Sequence, residues 1–195
     1  MKSILETWKR FLTEGTFVSS VVLPQRFTGI IQLQPAETSF LQAIQDKIVN
    51  QFPDQKPITK LHVTLLHQAI PKKVFSKTMV GGTGNFLRGD KALKAFFKSP
   101  EAAKLILPEL TFGTTGIKSE GDRTSSYIEV SNPEVLRGYL MGVYAACGLD
   151  LGEIAAASAA EPREAGRIFH ISLTNLTGMP GDSLANINNG TELKL

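Results

Sequence analysis

Leu61-His62-Val63-Thr64-Leu65 and Phe169-His170-Ile171-Ser172-Leu173 are the two stretches on which the fold turns. In each, apolar residues alternate with polar ones at period two, the pattern of a half-buried β-strand. Successive side chains of a strand point to opposite faces, so Leu61, Val63 and Leu65 face one way while His62 and Thr64 face the other. Phe169, Ile171 and Leu173 stand against His170 and Ser172 in the same manner. An imidazole beside a hydroxyl, placed twice, is what in-line phosphodiester cleavage needs: a base, an acid, and donors for the phosphate oxygens. The chain holds three histidines, and two of them lie in this repeated setting. One histidine on the polar side of a strand is ordinarily just a half-exposed residue. A matched pair with matched flanks argues for catalysis.

The surroundings repeat as well. A strand over 29–33 runs into Pro35 and then a helix to about Phe52, with Phe40, Leu41, Ile44, Ile48 and Val49 on its apolar stripe. Pro53 and Pro57 separate this helix from the His62 strand. In the second half a strand over 126–130 leads to Asn132 as N-cap and Pro133 as first helical residue. Leu136, Leu140, Val143, Tyr144 and Cys147 form the next stripe, and Gly148 is a natural stop. Strand, proline-started helix and histidine strand therefore occur twice. The second unit is longer by 152–166, an Ala-, Ser- and Glu-rich stretch that reads as a helix or a mobile surface loop. Between the units, 72–103 is basic and irregular, with a short helix around 90–98. Strands over 105–112 and 123–130 follow, joined by a turn at Gly121-Asp122. Beyond Leu176 the chain is rich in Gly, Asn and Asp and reads as a frayed tail.

The doubled pattern, hydrophobic-His-hydrophobic-Thr/Ser-hydrophobic, resembles that of the two-histidine (2H) phosphoesterase superfamily. Its members include RNA ligase-like cyclic phosphodiesterases, fungal and plant cyclic phosphodiesterases, and phage nucleases of the anti-CBASS type, which destroy cyclic-oligonucleotide alarm signals. The resemblance covers roughly residues 28–177 and rests on the tandem motif. It implies an α+β fold, bilobal and pseudo-twofold, with two antiparallel sheets flanked by helices around a central groove. It implies His62 and His170 as the catalytic acid and base, and Thr64 and Ser172 as the phosphate-binding residues. Each positioned acid or base contributes roughly 10²–10⁴ in rate, and an unperturbed imidazole titrates near ~6.5, so the pair suffices without a metal or other cofactor. The segment between Ile70 and Ala103 exceeds what compact members carry, which leaves the substrate-facing loops open.

The bulk numbers fit a small-substrate enzyme. At 195 residues and 42% hydrophobic, the chain can bury the core of one domain, expected over 16–180, with 1–15 as an N-terminal amphipathic helix and 181–195 as a C-terminal tail. A net charge of +3 suits a cyclic oligonucleotide or short RNA-like nucleotide and is too weak to demand long nucleic acid. Cys147 is the single cysteine, which excludes an internal disulfide and fits a reducing compartment. No apolar run is long enough for a membrane span, and Glu6, Lys9 and Arg10 interrupt any secretory core. The expected location is cytoplasmic. The opening MKSILETWKRFLTEG resembles leaders of large tailed-phage proteins, and Leu12-Thr13-Glu14-Gly15 looks like the Leu-x-Glu site of their prohead proteases. The plainer alternative is a docked terminal helix.

Four further features carry less. His67 has an odd offset from His62, which puts it on the core side, and no Cys/His cluster supports zinc. Gly81-Gly82-Thr83-Gly84 matches neither a P-loop nor a dinucleotide fingerprint and reads as a flexible loop that closes over substrate if it moves. Lys72, Lys73, Lys77, Arg88, Lys91, Lys94 and Lys98 form either a solvated face or a charged rim. Phe86 and Tyr127 are base-stacking candidates or core anchors. The functional expectation is a phosphodiesterase degrading cyclic oligonucleotide immune signals. Its rivals are a 2′,3′-cyclic phosphodiesterase of RNA repair and a non-catalytic nucleotide or RNA binder. Base identity and oligomeric state are not legible.

Overall fold

The computed structural model describes residues 16–18, 32–33, 38–65, 100, 102–105, 108–146, 151–160 and 166–195. Among them are strands β1 (Thr16–Val18), β2 (Gln32–Leu33), β3 (Lys56–Pro57), β4 (Val63–Thr64), β5 (Glu109–Glu120), β6 (Arg123–Val130), β7 (His170–Asn175) and β8 (Thr191–Glu192). Helices are α1 (Ser39–Gln51), α2 (Pro133–Ala146) and α3 (Leu151–Ala159). The architecture is α+β, and every strand pairing is antiparallel. The strands run in the order β1-β5-β6-β7-β4-β2, with β3 also against β7 and β8 against β5. Two sheets were expected; the described strands instead join in one. The joint is the direct pairing of β4 with β7 at Val63 and Ile171, which makes the two motif strands neighbours.

Local sequence explains most elements. β5 and β6 meet through the two-residue turn Gly121-Asp122, where Gly121 takes φ 62, a left-handed conformation that costs glycine nothing. β5 starts later than expected and runs further, because Thr115 and Ile117 are good strand formers that extend the ladder to Glu120. α1 turns Leu41, Ile44 and Ile48 inward, and α2 buries Leu136, Tyr139, Val143 and Tyr144. The stretch 152–166, ambiguous in sequence, contributes most of α3. Asn132 precedes α2 as expected, but its side chain serves β5. Thr111 N–H donates to Asn132 Oδ1 (2.9 Å), and Asn132 Nδ2 donates to the Glu109 carbonyl (2.8 Å). Among the described residues, no helix is long and apolar enough to cross a membrane.

The apolar halves of both motifs enter the same core. Leu61, Val63, Leu65, Phe169, Ile171 and Leu173 are all buried and cluster with Leu41, Ile48, Leu136 and Val143. One polar residue joins them from α1. Gln45 is buried, and its Nε2 donates to the carbonyls of Ile58 (3.0 Å) and Leu173 (2.7 Å). The amide pins α1 across the backbone on which both motifs are built. It also satisfies main-chain acceptors that burial would otherwise leave costly.

The expected frayed tail is instead part of the fold. Asn175, the last residue of β7, donates from Nδ2 to the Met179 carbonyl (2.8 Å) and the Ser183 hydroxyl (3.0 Å). Its Oδ1 accepts from the Thr177 and Gly178 amides. Leu184 N–H donates to Ser125 Oγ (3.0 Å), Leu184 and Ile187 are buried, and β8 closes the segment against β5. Polar composition suggested fraying; side-chain hydrogen bonds to turn backbone replaced the missing regular ladder.

This segment also covers Tyr127, which is 3% exposed. A Cβ built on either Gly190 or Gly116 would overlap the Tyr127 hydroxyl, so the ring is held from both sides by bare backbone. Gly190→Ala is therefore expected to destabilise the protein by roughly 1–3 kcal/mol. Thermal unfolding of Gly190→Ala and of Gly190→Ala with Tyr127→Phe checks this. The double variant removes the hydroxyl, but the ring carbons Cζ and Cε1 still lie 2.8 and 3.0 Å from the added Cβ, so it should recover only part of the loss.

Candidate active site

The β4–β7 register fixes the geometry. With Val63 opposite Ile171, antiparallel pairing sets His62 opposite Ser172 and Thr64 opposite His170. All four side chains share the face turned away from the core. Directly opposed pairs on such a face lie about 5 Å apart at Cβ, and the His62–His170 diagonal spans roughly 7–8 Å. Two imidazoles at that separation can flank a single phosphate. A local twofold axis between Val63 and Ile171 relates the two motifs.

The hydrogen bonding repeats with the strands. His62 Nδ1 donates to the Lys60 carbonyl (2.9 Å), and His170 Nδ1 donates to the Ile168 carbonyl (3.1 Å), each two residues back. A carbonyl only accepts, so Nδ1 carries the proton of the neutral ring. At His62 Nε2 is left as the nitrogen that exchanges protons, whereas the Leu184 backbone also reaches the His170 ring. The bonds also fix the ring orientations before any substrate arrives.

His62, Thr64, His170 and Ser172 line one cleft of about 230 Å³, with Arg167 at its edge and residues 180–185 as a wall. A larger hollow, about 840 Å³, lies around Leu105 and Tyr139, and no histidine borders it. The acid–base groups therefore belong to the smaller cleft. Burial lowers the His62 pKa from the ordinary 6.5, partly opposed by its bond to Lys60. Burial lowers His170 further, to about 4, against the pull of the Ile168 carbonyl. The Arg167 charge and His62 deepen the drop, while the Leu184 backbone resists it. Both rings are thus neutral at neutral pH, His170 the more firmly.

Neither family profiles, curated proteins nor solved structures give a match to this chain.

Two residues were not singled out in the sequence, one lining the cleft and one ordering the loop behind its wall. Arg167 donates from Nη1 to the Leu65 carbonyl (3.1 Å) and from Nη2 to the Thr64 carbonyl, so it reaches across to the first motif strand. Its guanidinium lies 5.1 Å from the Phe169 ring centre. Asn175 is the second, because it shapes the loop that forms the wall. An arginine three places before a motif histidine was a readable signal; a strand-end asparagine was not. Tyr127, a base-stacking candidate, is buried and packs edge-on against His170 with ring centres 5.9 Å apart. It backs the imidazole and does not meet a base. His67, Phe86, the 81–84 glycines, the basic run from Lys72 to Lys98, Cys147 and the N-terminal leader lie outside the described residues.

Proposed function

We propose that this protein is a two-histidine phosphodiesterase that cleaves a nucleotide phosphodiester by paired acid–base catalysis. The observation carrying this reading is the matched pair itself: His62 and His170 on adjacent antiparallel strands, each held through Nδ1 by the carbonyl two residues earlier. The more strongly neutral ring, His170, is the base. Its Nε2 takes a proton from water or a ribose 2′-hydroxyl, whose oxygen attacks phosphorus. His62, protonated as the phosphate anion raises its pKa, gives its Nε2 proton to the oxygen that leaves on the far side. Thr64 and Ser172 donate to the non-bridging oxygens as charge moves onto them. Proton and leaving group balance within the pair, and no step calls for a metal. The bilobal two-histidine phosphoesterase fold forms part of this proposal; the local twofold relation of the two motif strands supports it, and the single described sheet does not.

The favoured substrate class is a cyclic oligonucleotide immune signal, a reading that draws on the resemblance of residues 1–15 to phage leaders and on a host-cytoplasmic site of action. The cleft of about 230 Å³ takes one phosphate and an adjoining ribose, so the remainder of such a ring would rest outside it. That same size favours a second substrate, the 2′,3′-cyclic phosphate at an RNA end. Incubation of EDTA-treated protein with cyclic dinucleotides, cyclic trinucleotides and a 2′,3′-cyclic nucleotide, followed by chromatography, separates the two. Linearised cyclic oligonucleotide supports the first and an opened 2′,3′ phosphate the second. Tight binding with no turnover of any of them overturns catalysis in favour of a nucleotide-binding role.

A further inference from the structure

Arg167 is the cation that links the two motifs. It sits three residues before His170, yet its guanidinium is bonded to the carbonyls of Thr64 and Leu65 on the opposite strand. The Phe169 ring lies 5.1 Å from it, a cation–π contact. It lines the same cleft as the imidazoles, and its charge is felt at the His170 ring. Thr59 occupies the equivalent position before His62, so the twofold relation breaks here. A guanidinium fixed at two points and backed by a ring loses little freedom on meeting an anion.

We propose that Arg167 is the phosphate-anchoring residue of this cleft: it draws the phosphodiester anion in from one side and sets it between His62 and His170. This deepens the phosphodiesterase reading and rests on it for the identity of the anion's parent molecule, though the anchoring itself requires only a phosphate. The competing account is a purely structural clamp, in which the guanidinium serves the Thr64 and Leu65 carbonyls alone. The two differ in what the charge does. Arg167→Gln keeps amide donors for the carbonyls and loses the charge; Arg167→Lys keeps the charge and loses the fork.

The test is a titration with inorganic phosphate, following the His62 and His170 ring nitrogens by NMR, alongside thermal unfolding of each variant. In the unaltered protein phosphate shifts both rings. Arg167→Gln should weaken phosphate binding roughly tenfold or more with the rings still resolved, and Arg167→Lys should restore most of it. With a hydrolysed nucleotide, the Gln variant should raise KM more than it lowers kcat. Unchanged phosphate affinity in the Gln variant overturns the anchor. So does equal weakening in both variants together with a fall in melting temperature, the mark of a clamp. Phosphate binding that depends on Arg167, with no phosphodiester hydrolysed by the unaltered protein, keeps the anchor and removes the phosphodiesterase.

Discussion

Replacement of either His62 or His170 by alanine is expected to lower kcat by about 10²–10⁴, with Tm nearly unchanged. In the proposed mechanism each ring holds one end of the proton transfer, and neither neighbour could take its place: Thr64 and Ser172 are hydroxyls far from the required pKa. Both imidazoles lie on the face opposite the core cluster, so truncation opens the cleft and leaves the packing of Val63 and Ile171 intact. The double variant should lose little more than the worse single one, since half of an acid–base relay accomplishes little alone. Steady-state rates of the three variants on the substrate found by chromatography, with urea unfolding as control, check this. Full activity in either single variant ends the paired mechanism.

Acidity should affect rate and stability in opposite senses. In the proposed mechanism the active form has His170 neutral and His62 protonated. His170 loses its proton above about 4, and His62 is lowered from 6.5. The kcat/KM profile of the free protein should therefore be a bell whose acid limb lies near pH 4 and whose alkaline limb lies below 6.5. Stability follows the other sign. A histidine whose folded pKa is depressed binds more protons unfolded than folded, so unfolding free energy rises with pH through that window. The contribution of His170 is fully present above its unfolded value of 6.5 and is lost as pH falls to about 4. It amounts to at most about 3 kcal/mol, an upper figure because the ring borders open cleft. The groups facing it are Arg167, His62, Tyr127 across the ring edge, and Glu129, opposite on β6. Urea unfolding at pH 7 and pH 4.5 measures the slope, and His170→Ala should flatten it. An equally steep slope in that variant would assign the effect to other groups.

The strands and helices that carry the site were legible because their signals are local. Alternation placed Leu61, Val63, Phe169 and Ile171 inside, with the histidines on the other face. Pro133 and the stripe through Leu136 and Val143 marked α2. What sequence could not disclose is non-local. Nothing along the chain tells that β4 lies against β7 and not at the heart of a separate sheet, since pairing is decided by packing far apart in sequence. Arg167 looks like any loop arginine until its guanidinium is seen on the Thr64 and Leu65 carbonyls. Gln45 lies within an apolar stripe, and only the carbonyls of Ile58 and Leu173 above it explain its place. The last twenty residues misled for a physical reason. Their order comes from Asn175 and Ser125 binding turn backbone, not from apolar periodicity.

The pseudo-twofold axis between Val63 and Ile171 has one more consequence. A phosphodiester turned end for end would find the same pair of imidazoles and hydroxyls waiting, so the repeated elements alone give the reaction no direction. In that scheme polarity would enter through what has no twin: the guanidinium at position 167, where the first motif has a threonine at 59, and the wall that stands beside His170. If the proposed cleavage occurs, these asymmetric additions would set which of the two ester oxygens departs. A chain lacking them would be expected to cut either way round.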